Sequence, residues 1–144
     1  MKRTIADARQ ALEQDVAPGL NDHRMRELQA VVKAEEDKAR ARAASYVEQR
    51  EGEVRAIRDE ALRLLTEARD RMEELTSAAR LGRVPAQEVA GQLQEARRQQ
   101  QQAEAELARA EAIVARIESV EDDPVAFVDD LFRRNPQLMP EWPW

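Results

Sequence analysis

The residues able to do chemistry are few in this chain, and they are scattered. The only histidine is His23, and there is no cysteine. No serine or threonine nucleophile has a histidine and an acid at a recognisable spacing. There is no glycine-rich phosphate loop and no HExxH pair. Two carboxylate runs, Glu35-Glu36-Asp37 and Glu121-Asp122-Asp123, could touch a divalent cation loosely. Their default reading is a solvated charge run. The Glu-x-x-His pattern of helical di-metal sites is missing. The expectation is therefore a non-enzymatic protein with no catalytic residues, no metal and no cofactor.

The aromatic residues are the informative group. There are five: Tyr46, Phe127, Phe132, Trp142 and Trp144. Four fall within the last 18 residues, where Val128, Leu131, Leu138 and Met139 accompany them. Aromatic side chains among prolines make good anchors for a partner. The candidate partner-binding residues are thus Phe127, Val128, Leu131, Phe132, Leu138, Met139, Trp142 and Trp144. A second destination is open to them: the end of the chain could fold back near Tyr46 and Val120. Tryptophans left free in water would cost solubility.

The elements that carry these residues are helices. Charged residues make up 36% of the 144 positions and aromatics 3%, a composition suited to long helices and coiled coils. Residues 3–17 place Ile5, Ala8, Leu12 and Val16 on one helical face. Pro18-Gly19 ends this helix, with Gly19 suited to a left-handed closing position. Asn21 is a candidate N-cap, with Leu20 and Met25 spaced as a hydrophobic staple. From Asp22 to Leu81 nothing stops a helix, and Gly52 is the only glycine in that stretch. At 1.5 Å per residue a helix of this length would extend roughly 90 Å. The turn is Leu81-Gly82-Arg83-Val84-Pro85. A third helix from about Pro85 to Val120 repeats apolar or small residues in steps of four and three.

Folding that helix back about the turn pairs residues whose numbers sum to 167 or 168. Leu75 then meets Leu93, Met72 meets Ala96, Leu64 meets Ala103, Ala61 meets Leu107, Ile57 meets Ala110 and Val54 meets Val114. A large residue usually opposes an alanine, which lets two helices approach while the seam stays filled. A short turn makes the local partner cheap in entropy, so the hairpin is expected within one chain. Gln100 would face Ala68 and is expected to swing to solvent. The first helix should fold back to place Leu12 near Met25 and Ile5 near Val32. Residues 33–45 then offer only alanines to any neighbour. Exposed pairs Glu36–Arg40, Glu51–Arg55, Asp59–Arg63 and Glu67–Arg71 would support the helix by a few tenths of a kcal/mol each.

Asp123 and Pro124 restart the chain as cap and first residue of a short amphipathic helix that ends at Asn135-Pro136. The tail NPQLMPEWPW should be extended. The expected organisation is residues 1–20 as N-terminal helix and turn, 21–121 as hairpin, and 122–144 as C-terminal helix and aromatic tail. Six acids and two bases lie in residues 121–144, and no basic stripe appears elsewhere, so no nucleic acid is expected as partner. No apolar run reaches the length of a membrane span, and no signal peptide is visible. A cytoplasmic protein, forming homo-oligomers and binding protein partners through its C-terminal segment, is the expectation.

A short, charged, cysteine-free helical chain with a recognition tail resembles the scaffolding and small virion-assembly proteins of tailed bacteriophages. The resemblance implies a structural role in assembly. Many such scaffolds end in a basic capsid-docking helix, whereas this end is acidic and aromatic. The other class open to the chain is a regulatory adaptor whose tail occupies a groove on a cellular enzyme or transcription component.

Overall fold

The computed structural model describes residues 1–144 and is all-α. Its helices are α1 (Ile5–Ala11), α2 (Asp22–Arg80), α3 (Ala86–Asp122) and α4 (Pro124–Arg134). Helices α2 and α3 pair as an antiparallel hairpin. The chain divides into two compact units. One comprises Met1–Gln49 with Ile117–Trp144, and the other Arg50–Arg116. These units do not follow the expected segments 1–20, 21–121 and 122–144. A hairpin folds sequence-distant stretches together, so compact units gather residues by packing and not by order along the chain.

In the unit Arg50–Arg116 the expected seam is the core. Val54, Ile57, Ala61, Ala68, Leu75, Val89, Ala96, Ala103 and Ala110 are buried. Leu64, Met72, Leu93, Leu107 and Val114 are half-buried. Cross-hairpin contacts fix the register near the predicted one. Arg58 pairs with Glu111 at 3.0 Å, Arg71 donates to Gln92 at 2.8 Å, and Gln99 donates to the Leu64 carbonyl at 3.2 Å. Gln99, the neighbour of Gln100, also reaches across the hairpin. A helical carbonyl already accepts one bond along its own helix, and its second lone pair can take the amide of Gln99.

The turn is a Schellman motif. Gly82 is left-handed at φ 65°, its N–H returns to Ala79 at 3.1 Å, and Arg83 returns to Ala78 at 3.0 Å. Gly19 does not adopt that conformation. The first helix loosens and then tightens before it stops: Leu12–Val16 is a π-helical turn and Ala17–Gly19 a 3-10 turn, closed by Leu20 donating to Ala17 at 3.1 Å. Asn21 caps α2 as expected, accepting from Arg24 N–H at 2.8 Å. Of the four exposed pairs expected on α2, only Glu36–Arg40 is present, at 3.6 Å. Arg63 turns instead to Glu60 and Glu67, and Arg71 to Glu74, because a long guanidinium side chain reaches acids on either side along the helix.

Alanine at the closest layers sets the packing limit. Ala103 and Ala110 have no exposed surface, whereas Ala105 is exposed on the same helix. Ala103→Leu or Ala110→Leu should lower unfolding free energy by about 1–3 kcal/mol through overpacking. Ala105→Leu should stay within ~0.5 kcal/mol. Urea denaturation followed by circular dichroism checks the contrast.

Candidate functional site

Within the unit of Met1–Gln49 and Ile117–Trp144, the aromatic end of the chain meets its beginning. The centre of the arrangement is Asp129 on α4, a carboxylate only 1% exposed. Its two oxygens accept the backbone N–H of Ile5 at 2.8 Å and of Ala6 at 3.0 Å. These are donors of the first turn of α1, which has no carbonyl of its own to offer them. Thr4, also buried, accepts the next donor, Asp7 N–H, at 3.3 Å. A carboxylate at a helix N-terminus also meets the positive end of the backbone dipoles. Asp129 thus caps α1 from another helix, 124 residues away in sequence.

Why α4 stands there follows from its own ends. Asp123 accepts Ala126 N–H at 3.1 Å, and Pro124 opens the helix where its missing donor costs nothing. The side chains of Phe127, Val128 and Phe132 are buried on one face. Phe127 lies against Tyr46 with ring centroids 4.7 Å apart. The Arg42 guanidinium covers the Phe132 ring at 5.8 Å. Ala39 and Ala43 are buried as well. The segment 33–45, expected to be either a solvated helix or a weakly apolar contact surface, meets α4: Ala39 and Arg42 line one groove with Val128 and Phe132. Small residues there give room for two phenylalanine rings.

The tail returns to the N-terminus. It is not extended throughout: Pro136–Leu138 makes a 3-10 turn. Beyond it, Glu141 bridges Lys2 in antiparallel fashion. Trp142 N–H donates to the Met1 carbonyl at 3.2 Å, and the Trp142 indole donates to the Arg3 carbonyl at 3.0 Å. The Met1 ammonium contacts Glu141 at 2.9 Å and holds that carboxyl below its ordinary range, first by the hydrogen bond and then by its charge. A lowered folded-state pKa means that this contact contributes above the ordinary carboxylate value and is lost as pH falls through the lowered one. Trp142 is 3% exposed and stacks obliquely on Trp144 at 5.4 Å. The Trp144 indole N–H is buried without an acceptor.

The eight candidate anchors therefore separate. Phe127, Val128, Phe132 and Trp142 are buried within their own chain. Leu131 and Leu138 are exposed, and Met139 and Trp144 are half-buried. Of the two destinations open to the aromatic end, these four side chains take the fold-back onto their own chain, Phe127 against Tyr46 and Trp142 against Met1 and Arg3. Beside Leu138 a groove of about 240 Å³ is lined by Ala39, Arg42, Val128, Phe132, Leu138 and Pro140, among others. The first helix also folds back as expected, with Leu12 and Met25 lining one shared cavity. Arg9 pairs with Glu36, which also faces Arg40.

The early carboxylate run is engaged by cations on the protein: Glu35 by Lys38, Glu36 by Arg9, Asp37 by Arg40. His23 lies on the surface 3.1 Å from Glu27. No three His, Asp or Glu side chains converge on one point. No helix is long and apolar enough to cross a membrane. Sequence reasoning missed Asp129, which reads as one more surface acid. The signal was its position: it falls on the same helical face as Val125, Val128 and Phe132. Comparison with protein-family models, with curated proteins and with solved structures gives no match.

Asp129→Ala should destabilise the protein by about 1–3 kcal/mol, because two buried N–H donors lose their acceptor. Asp129→Asn, which keeps one carbonyl oxygen, should fall between that variant and the parent. Trp142→Ala should cost about 3 kcal/mol or more. Thermal and urea unfolding of the three variants measures the order.

Proposed function

We propose that this chain is a non-enzymatic structural or assembly protein, in which the α2–α3 hairpin is the spacing and self-association element and the outer face of the C-terminal segment is the docking element. The observation that carries the reading is the enclosure of Asp129, Phe127, Phe132 and Trp142 in a bundle that joins the two chain ends. Most of the large aromatic side chains serve the chain's own closure. What faces outward on the helices is mainly neighbouring ion pairs, each a surface contact worth little by itself. The setting that fits best is an assembly built from many copies in the cytoplasm, and assembly of a phage virion is its most specific form.

A second reading, a regulatory adaptor, draws on the groove beside Leu138. Leu131 and Leu138 are exposed on α4 and the tail, and Met139 and Trp144 are half-buried. A cellular enzyme or transcription component presenting an apolar ridge could use this face. The two readings differ in stoichiometry. Mass photometry of assemblies purified from the native cell should show particles with many copies of this chain. A small complex of fixed one-to-one composition would select the adaptor.

The double substitution Leu131→Asp with Leu138→Asp separates docking from folding. Both positions are exposed, so the melting temperature should stay within about 2 °C. Partner capture or higher assembly should be lost. Unchanged assembly would make the C-terminal segment a latch alone.

A further inference from the structure

The hairpin turn presents an apolar knob with cations on either side. Leu81 is 64% exposed, and the rigid Schellman turn fixes its place. Arg80 and Arg83 flank it, both exposed and neither engaged in an ion pair. Most arginines on α2 do have an acid within reach, so two free ones at one turn are a local exception. Adjacent on the same helix lies an open groove of about 620 Å³ lined by Asp70, Glu73, Glu74, Ser77, Ala78, Leu81 and Arg83. Its acids are weakly held: Asp70 is 3.8 Å from Arg69, Glu74 is 3.6 Å from Arg71, and Glu73 has no ionic partner.

We propose that the turn is a homotypic docking site, in which the Arg80-Leu81-Arg83 knob of one copy enters the acidic groove of a second copy and the exchange is reciprocal. This rests on the reading of the chain as a self-associating structural protein and names the surface that would do it. Residues 70, 73, 74, 77 and 81 recur at three- and four-residue steps, so they share one face of α2. Two such faces laid antiparallel about a two-fold axis through Ser77 bring Leu81 of each copy toward residue 73 of the other. Arg80 and Arg83 then approach Glu73, Glu74 and Asp70. A patch holding both the knob and its complement is what an isologous interface needs. Ser77 is small and exposed, so the helices can come close at the axis. The opposite arrangement, knob against knob, would place free arginines together.

The full chain carrying Ser77→Cys tests this directly. Ser77 sits on the proposed axis, so mild oxidation should give a disulfide-linked dimer. Ala56→Cys, an exposed control on the same helix, should remain mostly monomeric. In sedimentation velocity the parent should self-associate less as salt rises, because screening weakens exposed charge pairs. Leu81→Glu should raise the dimer dissociation constant about tenfold or more, as loss of a central anchor does. Arg80→Glu with Arg83→Glu should weaken association, and adding Glu73→Arg with Glu74→Arg should restore it. Circular dichroism melting confirms that each variant folds. A parent that stays monomeric at high concentration overturns the proposal. So does a dimer that ignores Leu81→Glu and the charge reversal, although self-association through another surface would then survive.

Discussion

One carboxylate joins the ends of this protein. Asp129 enters a helix from outside and satisfies two N–H donors that α1 cannot satisfy by itself. Burying an ionised group is costly unless it is fully hydrogen-bonded. Here the partners are backbone donors that would themselves be costly to bury without an acceptor, so each group solves the other's problem. The consequence is positional. With Asp129 docked, α4 is fixed against α1, Phe127 lies against Tyr46 and Phe132 beside Ala39 and Arg42, and the tail is brought to the strand-like N-terminus where Trp142 closes the bundle.

The unit Arg50–Arg116 is held by a different device. Its seam alternates large side chains with alanines, and the alanines are the most completely buried positions. Dispersion at close approach takes the place of large apolar area in such a seam. That suits a chain with 3% aromatics and 36% charged residues. It also explains why the surface is left to short-range ion pairs, which keep long helices soluble and add little stability.

Much of this was legible in the sequence because it rests on period and punctuation. The three- and four-residue steps located every seam residue from Val54 to Val114 in buried or half-buried positions. Gly82 and Pro85 marked the turn, and Asn21 and Asp123 marked caps, since each does a job that few residues can do. The tertiary cap was not legible. Asp129 is followed by another aspartate and reads as solvated until α1 is seen beside it, and a long-range hydrogen bond leaves no period. The cover over residues 33–45 was missed for a related reason: alanines look like poor partners until two phenylalanine rings need the space. Gly19 was misread because the helix before it unwinds through a π turn and a 3-10 turn, so no left-handed residue is required.

The C-terminal helix holds the start of the chain in place through Asp129. Amide hydrogen exchange at Ile5 and Ala6 tests it most directly. First-turn amides of a terminal helix ordinarily exchange fast, because nothing in the helix accepts them. Both should be protected to about the level of the α4 core amides, and Asp129→Ala should abolish the protection while leaving amides of residues 50–116 unchanged. Fast exchange at Ile5 and Ala6 in the parent protein would contradict it.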